Sequence, residues 1–178
     1  MILDLCGGTG SWSKPWKDAG YEVLNVTLPK YDVRDFVTSQ SIYGVLAAPV
    51  CTVFAVSGAR WERTDEEIDN AWELVEACLY IIEKANPVFW VLEQPITKLV
   101  RYLGKPKMYF QPCDFGDTYT KKTCLWGNFK EPQKDPVIPV QGSKMHLKYG
   151  GKSARTKEMR SITPEGFARA FFEANKRK

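Results

Sequence analysis

Residues 1–10 read Met-Ile-Leu-Asp-Leu-Cys-Gly-Gly-Thr-Gly, an apolar run that ends in a turn with three glycines. Ile2 to Leu5 predicts a short buried strand, which the glycines prevent from continuing. Ser11 to Ala19 predicts a helix, and Gly20 is typical of a helix C-terminus. A glycine turn between a strand and a helix lets a ligand approach the backbone closely, where free N–H groups of the helix N-terminus face it.

The rest of the chain continues the alternation of strands and helices. Thr64 and Glu67 have the spacing of a capping box and precede apolar residues at helical spacing, so a long helix is predicted from about Asp65 to Ala85. This alternation predicts an α/β fold with a mostly parallel sheet and helices on both faces. The other predicted elements are strands over Tyr21 to Leu28, Gly44 to Ala48 and Val88 to Leu92, a hairpin around Cys113 to Gly127, a loop from Asn128 to about Arg160, and a final helix that begins near Pro164, capped by Thr163.

Length and composition narrow the class of protein. The 178 residues fit one domain spanning 1–178, and 44% hydrophobic with 26% charged residues is ordinary for a folded protein. No apolar run reaches the ~18 residues needed to cross a bilayer, and no basic segment follows Met1, so neither membrane insertion nor secretion is expected. Five cysteines, one histidine and no C-x-x-C pair argue against a disulfide framework or a metal site and favour a reducing cytoplasm. The net charge of +4 permits nucleic-acid binding without requiring it.

Several nucleotide ligands use a glycine turn of this kind. A P-loop needs a lysine after its last glycine, which is absent here, and a dinucleotide site needs a third glycine where Ser13 stands. The spacing from Asp4 to Gly8 and Gly10 fits the D-x-x-x-G-x-G turn of S-adenosylmethionine (SAM) sites, with a tight turn that binds nothing as the alternative. Nucleotide sites also place an acidic residue after the second strand to hold the ribose hydroxyls. The uncharged Thr27 stands there, which leaves Asp32 as the nearest substitute.

Reactive side chains follow two further predicted strands. Pro49 to Cys51 comes after the third strand, and Glu93 to Pro95 follows the strand after the long helix. The carboxyl ends of parallel strands meet at one edge of an open α/β sheet, where ligands bind. A thiol, a carboxyl group and a nucleotide-type turn are therefore predicted at one edge, which suits covalent chemistry on an electron-poor ring. The other four cysteines are expected to be buried core residues.

With these segments in place, the sequence resembles the DNA cytosine-5 methyltransferase family, whose motifs it follows in order over most of the chain. The family's first motif, D-L-F-x-G-x-G, is similar to residues 4–10, and its catalytic loop, P-P-C-Q-x-F-S-x-x-G-x-R, is similar to residues 49–60. The resemblance implies a Rossmann-like SAM-dependent methyltransferase fold. Further similar segments are Asp32-Val33-Arg34 (family G-D-I), Leu92-Glu93-Gln94-Pro95 (E-N-V), residues 114–127 (D-Y-G-x-P-Q-x-R-x-R-x-x-x-x-G) and Arg160-Ser161-Ile162-Thr163-Pro164 (R-x-L-T-P).

The resemblance also implies a reaction, methyl transfer from SAM to C5 of cytosine in single- or double-stranded DNA. Cys51 would add to C6 of the ring, and Glu93 would act as a neutral acid that offsets charge at N3. Lys121, with Arg60 second, would supply a positive charge near the ring. The residues expected at the SAM site are Asp4, Cys6, Gly7, Gly8, Thr9, Gly10, Thr27, Asp32, Val33 and Pro49.

The sequence departs from the family in both catalytic segments. Val50 replaces the second proline of the cysteine loop, and Gln94-Pro95 replaces Asn-Val. Tyr119, Lys121 and Thr123 stand at or near the glutamine and the two arginines of the later motif. Only Lys121 keeps a cation there, so bidentate clamping of a phosphate is lost.

The family's target-recognition domain is reduced here to residues 128–159, a basic loop with seven lysines and arginines. Such a segment can contact phosphates but offers little surface for reading bases, so weak or very short sequence specificity is expected. The short form resembles methyltransferase-like proteins of phages and mobile elements, which implies the cytoplasm of a bacterium or of a phage-infected host. Two other functions remain open: a catalytically weak DNA-binding or accessory module that relies on a protein partner, and methylation of cytosine in RNA or a nucleotide.

Overall fold

The computed structural model describes residues 1–55, 62–149 and 153–177, which form a six-stranded sheet with helices on both faces. The strands are β1 (Ile2–Leu5), β2 (Val23–Val26), β3 (Gly44–Ala47), β4 (Phe89–Pro95), β5 (Met108–Phe110) and β6 (Thr123–Asn128). The helices are α1 (Lys14–Asp18), α2 (Asp65–Ala85), α3 (Val100–Leu103), α4 (Lys144–Leu147), α5 (Ala154–Ser161) and α6 (Glu165–Asn175).

The strand order across the sheet is β2-β1-β3-β4-β6-β5. The first four strands pair in parallel, whereas β6 runs antiparallel to both β4 and β5. From β1 the chain moves outward to β2 and then returns across β1 to β3, so the strand order reverses between β1 and β3. Ligands bind at the carboxyl end of the strands beside such a reversal. The predicted α/β class with a mostly parallel sheet is confirmed.

Helix α2 covers one face of the sheet and begins where the capping box predicts. The Thr64 side chain accepts a hydrogen bond from the Glu67 backbone N–H, and the Glu67 carboxylate accepts one from the Thr64 N–H, both at 3.1 Å. The helix stops at Asn86, which takes a left-handed conformation with φ of 41°. Its buried side chains, Ala71, Val75, Cys78, Ile81 and Ile82, share one helical stripe and pack on the sheet.

The opposite face is an aromatic core between the sheet, α1 and α6. Trp16 of α1 stacks on Phe89 of β4 with ring centroids 5.2 Å apart, and Phe110 stacks on Phe167 of α6 at 3.9 Å. Trp16, Phe110 and Phe167 are all fully buried. Burying a large apolar side chain contributes roughly 1.5–3 kcal/mol, so this layer holds the two helices firmly on the sheet.

The helix α1 and the strand β2 are shorter than predicted, and three other predicted elements differ from the structure. The hairpin predicted around Cys113 to Gly127 has its first strand earlier, at β5, because Pro112 begins a short 3₁₀ turn after Phe110. The segment from residue 128 to 160, predicted as a loop, contains α4 and α5, and the Ser153 side chain caps α5 by accepting the Thr156 N–H at 3.2 Å. The final helix begins at Glu165, with Pro164 rather than Thr163 at its N-cap. Within the described ranges no helix is long and apolar enough to cross a membrane.

Candidate active site

The turn after β1 owes its shape to close packing against Asp4. A Cβ atom on Gly7 would lie 2.3 Å from the Cγ atom of the Asp4 carboxyl group, which is too close for any side chain. Gly8 and Gly10 have φ values of 52° and 72°, in the left-handed region that favours glycine. The Gly10 N–H closes the turn on the Gly7 carbonyl at 2.9 Å, and Thr9 is exposed at its tip.

Asp4 lies completely buried beneath this turn. One carboxyl oxygen, Oδ2, accepts a hydrogen bond from the Ser13 hydroxyl at 2.5 Å, while Oδ1 has no partner in the described parts of the chain. Burial raises the pKa of Asp4 to about 6, since desolvation outweighs the hydrogen bonds from Ser13. Sequence reasoning treated Ser13 only as a missing glycine, whereas the structure makes it the residue that orients Asp4.

Asn25 is a second polar residue under the turn, and sequence reasoning missed it. Its Nδ2 atom donates to the Gly8 carbonyl at 3.0 Å, and its buried Oδ1 atom has no partner among the described residues. The signal available was a single amide side chain inside the otherwise apolar strand β2. Together with Asp4 Oδ1 it leaves two buried acceptors beside the turn, which fits a ligand that carries a donor group, such as the ammonium of SAM.

The acid after β2 is already engaged by a neighbouring arginine. Arg34 donates from Nε to Asp32 Oδ1 at 3.0 Å and from a terminal nitrogen to Oδ2 at 2.5 Å, which lowers the pKa of Asp32 to about 2. Thr27 begins the connecting turn, where its carbonyl accepts the Tyr31 N–H at 3.0 Å. Val33 is buried in the core beside α2, so its side chain anchors the loop after β2 to that core.

Two of the cysteines expected in the core are only partly buried. Cys78 and Cys124 are buried as predicted, whereas Cys6 and Cys113 are partly exposed. Cys6 has a φ of 56° because it begins the glycine turn, which lifts its side chain toward α2. There its thiol interacts with that of Cys78, which lowers the pKa of Cys6 and raises that of Cys78.

The cysteine loop after β3 is attached to the end of β4 and to the segment that follows β4. Gln94 is fully buried, and its Nε2 atom donates to the Pro49 carbonyl at 2.6 Å. Beyond Cys51, the Phe54 carbonyl accepts the Lys98 N–H at 2.9 Å and the Thr97 hydroxyl at 3.3 Å. Gln94, which stands where the family has asparagine, therefore replaces that amide with a longer one that reaches the loop backbone.

Cys51, Glu93 and Lys121 lie together at the carboxyl end of β3 and β4. The register pairs Pro95 with Thr123, the first residue of β6, so Lys121 lies beside the end of β4. Burial raises the pKa of the Cys51 thiol, as does the charge of Glu93, while Lys121 and Arg160 oppose this shift. Burial also raises the pKa of Glu93, against the opposing charge of Lys121. A thiol, an acid with a raised pKa and a cation are thus brought close together, and we call these three residues the Cys51 pocket.

Helix α5 joins this pocket to the glycine turn. Lys121 donates from Nζ to the Arg160 carbonyl at 3.0 Å, and the Thr163 N–H donates to the Ser11 hydroxyl at 2.9 Å. The Ser161 hydroxyl oxygen would lie 4.0 Å from a Cβ atom on Gly8. Arg160 belongs to the R-x-L-T-P segment, and its position in the sequence does not predict that its charge acts on Cys51.

Two further residues that the sequence pointed to, Arg60 and Thr123, add no charge to the site in the described structure. Arg60 lies outside the described residues. Thr123, near one of the family's arginines, is buried, and its hydroxyl donates to the Lys121 carbonyl at 2.8 Å. An open groove of about 470 Å³, lined by residues such as Phe115, Asp117 and Arg169, lies on a different part of the surface. In the ranges that the structure describes, no group of three or more histidine, cysteine, aspartate or glutamate side chains could hold a metal ion.

Comparison with known proteins relates the fold to a methyltransferase. No protein-family profile and no curated protein sequence matches the chain. A solved E. coli structure, provisionally described as a DNA modification methyltransferase encoded within a prophage, is similar with a TM-score of 0.52 and 14% sequence identity. The match covers 77% of this chain and 52% of that protein, so the chain spans about half the length of this neighbour. This likeness agrees with the predicted Rossmann-like α/β fold.

Proposed function

We propose that this protein transfers a methyl group from SAM to C5 of cytosine in DNA, with weak or very short sequence specificity. The observation that carries the proposal is the grouping of Cys51, Glu93 and Lys121 at the carboxyl end of β3 and β4, on the sheet edge that also bears the glycine turn. The prophage methyltransferase with the same fold supports a DNA substrate.

Cys51 is the proposed nucleophile. Its sulfur adds to C6 of cytosine, which makes C5 electron-rich enough to accept a methyl group, and the sulfur leaves C6 after C5 has lost its proton. A thiol suits this step because its anion is nucleophilic near neutral pH. The resting pKa of Cys51 is raised, so Lys121 would help by stabilising the thiolate when the ring arrives.

Glu93 is the proposed acid. Attack at C6 builds negative charge at N3, and a protonated carboxyl group close to that nitrogen can donate a proton to it. Burial raises the pKa of Glu93, which increases the fraction that carries a proton at neutral pH. The hydrogen bond from Gln94 to Pro49 would keep Cys51 beside this acid.

The turn would hold the cofactor, which when bound supplies an electrophilic methyl group. The glycines at 8 and 10 allow a ligand to contact the backbone, and the free acceptors on Asp4 and Asn25 fit an ammonium group. Asp32 is bound to Arg34, so it would have to share its carboxylate with the ribose hydroxyls. This competition predicts modest cofactor affinity.

The test uses DNA in which cytosine is replaced by 5-fluorocytosine. Fluorine at C5 cannot be removed as a proton is, so Cys51 should stay attached after methyl transfer, and an intact mass should show protein plus methylated oligonucleotide. Cys51→Ser should abolish the adduct, and Glu93→Gln should slow its formation by about 100-fold. Cys113→Ser is the matched control, because this cysteine is also partly exposed and lies outside the pocket.

Parallel reactions with single-stranded DNA, double-stranded DNA, RNA and a free cytidine nucleotide identify the substrate. An adduct that persists in Cys51→Ser would place the nucleophile at another residue. An adduct that forms only with RNA or with the nucleotide would show that this molecule, and not DNA, is the substrate. The proposed reaction at Cys51 would then stand.

An accessory role is the second candidate, and the raised pKa of Cys51 is the observation that favours it. A thiol that is protonated at neutral pH attacks slowly, which suits a module that binds DNA and leaves catalysis or target recognition to a protein partner. DNA binding with no adduct on any of these substrates, in the presence of saturating SAM, would establish this role.

A further inference from the structure

The C-terminal end of α5 lies between the two halves of the candidate site. Lys121 holds it on one side through the Arg160 carbonyl, at 3.0 Å, and Ser11 holds it on the other through the Thr163 N–H, at 2.9 Å. Both contacts use the backbone of the α5 segment, so neither occupies the side chain of Arg160. The last turn of the helix is therefore fixed beside the pocket, whatever side chain stands at position 160.

The Arg160 guanidinium is free to meet a ligand. It is partly buried, and it has no hydrogen-bond or ion-pair partner among the residues that the structure describes. Its positive charge reaches Cys51, because it acts with Lys121 to oppose the upward shift in the pKa of that thiol. A cation whose backbone is held beside the cysteine, and which pairs with no anion among the described residues, can bind an anionic ligand there.

We propose that Arg160 is a second cation of the Cys51 pocket and that its guanidinium binds an anionic phosphate oxygen of the target nucleotide. The inference rests on the proposed function, from which it takes the nucleotide as the ligand. Arg160 is then a substrate-binding residue that directly follows residues 128–159, the basic segment assigned above to phosphate contacts.

The chemistry of the guanidinium fits this role. Its planar fork can donate two parallel hydrogen bonds to one phosphate, which a lysine ammonium cannot do. At the positions that match the two arginines of the later motif, this chain has Lys121 and Thr123, and the Thr123 hydroxyl donates to a backbone carbonyl. Arg160 thus restores, from a different segment, the bidentate donor that positions 119 to 123 lack.

The test compares two alkylating reagents at Cys51, the anionic iodoacetate and the neutral iodoacetamide. In both reactions the thiolate forms a bond to carbon and iodide leaves, so the ratio of the two rates cancels the thiolate fraction and reports anion binding beside the sulfur. Rates at Cys51 are measured by mass spectrometry of its peptide at constant pH and low ionic strength. Arg160→Ala should lower the iodoacetate-to-iodoacetamide ratio about fivefold, the effect of one nearby charge.

Two further variants identify the cause. Arg160→Lys should retain most of the ratio because the charge remains, whereas Arg155→Ala is the matched control: it removes an exposed arginine from the first turn of the same helix and should leave the ratio unchanged. Equal thermal unfolding midpoints for Arg160→Ala and Arg155→Ala would show that the fold is retained. An unchanged ratio in Arg160→Ala overturns the inference, and so does an equal fall in Arg155→Ala.

The DNA reaction separates this inference from the proposed function. With 5-fluorocytosine DNA, Arg160→Ala should raise the DNA concentration at half-maximal adduct rate about tenfold. Arg169→Ala, which removes an exposed arginine of α6 outside residues 128–159, should stay close to wild type. If the ratio falls in Arg160→Ala and the wild-type protein forms no adduct, the anion site stands and cytosine methylation is wrong. If the wild type forms the adduct and Arg160→Ala changes neither readout, the proposed function stands and the Arg160 assignment is wrong.

Discussion

The glycine turn after β1 and the cysteine loop after β3 lie at the same edge of the sheet but are held in different ways. The turn depends mainly on its own glycines, with positive φ values at Gly8 and Gly10 and no room for a side chain at position 7, and Asn25 adds one hydrogen bond to it. The cysteine loop is held from outside, by hydrogen bonds from Gln94 and Thr97. A turn of the first kind tolerates few substitutions, whereas a loop of the second kind can be adjusted by residues distant in sequence.

Of the substitutions that test this difference, Gly7→Ala should reduce the free energy of unfolding most. The new methyl group would meet the Asp4 carboxyl group at 2.3 Å, and overpacking of this kind in a filled core costs about 3 kcal/mol of unfolding free energy. Urea unfolding measures the loss. In the double variant with Asp4→Ala part of the loss should be recovered, because the obstructing carboxyl group is gone; purely additive losses would show that the clash has another source.

Asp4 should make the stability of the turn depend on pH. Its pKa is 3.8 in a model peptide and about 6 in the fold, so the folded state binds the proton more tightly and stability falls as pH rises from about 4 to 6. Asp4→Asn removes this loss, which is roughly 3 kcal/mol at most. Urea unfolding should show Asp4→Asn more stable than wild type at pH 8, with the advantage gone at pH 3.5. A constant difference across this range would contradict a buried, titrating Asp4.

Gln94→Leu should loosen the cysteine loop by an intermediate amount. It leaves the Pro49 carbonyl without its donor at 2.6 Å, and an unsatisfied buried group costs about 2 kcal/mol. Part of this cost is offset, because leucine also removes Gln94 Oε1, which is buried without a partner among the described residues. Thr97→Val is the matched control, since its bond to the Phe54 carbonyl is longer, at 3.3 Å, and should be worth about 1 kcal/mol or less. Adduct formation at Cys51 should slow more in Gln94→Leu than in Thr97→Val. The reverse order would mean that the second hydrogen bond, and not Gln94, positions the loop.

Gly8→Ala should have the smallest effect on stability, although it lies next to Gly7. A Cβ atom there meets nothing closer than the Ser161 hydroxyl at 4.0 Å, so the cost is backbone strain at φ of 52°, about 1 kcal/mol. Gly8→Asn should cost less, because asparagine tolerates this region. Calorimetric titration with SAM should nevertheless show weaker binding to Gly8→Ala, since the added methyl group faces the proposed ligand; equal affinity would argue against SAM at this turn.

The sequence predicts a helix or strand best when that element depends on residues close to one another along the chain. The capping box at Thr64 and Glu67 and the apolar stripe of α2 gave both ends of that helix, because they act within one or two turns. The strands β1, β3 and β4 are predicted correctly because each is a short apolar run, and such a run is typical of a strand buried inside a sheet. The α5 helix was missed, since its sequence is polar and its C-terminal end is held by contacts to Lys121 and Ser11, which are distant along the chain.

The amino-acid sequence by itself determined which chemical groups stand at strand ends: three glycines after β1, a cysteine after β3 and a glutamate at the end of β4. Only the tertiary structure decided their neighbours and their charge. Asp4 and Glu93 have raised pKa values because the fold removes them from water, and Arg160 reaches Cys51 because α5 packs across the sheet edge. The physical reason is that strand and turn formation depends on local backbone preferences, whereas burial and the distance between charges depend on segments brought together from the whole chain.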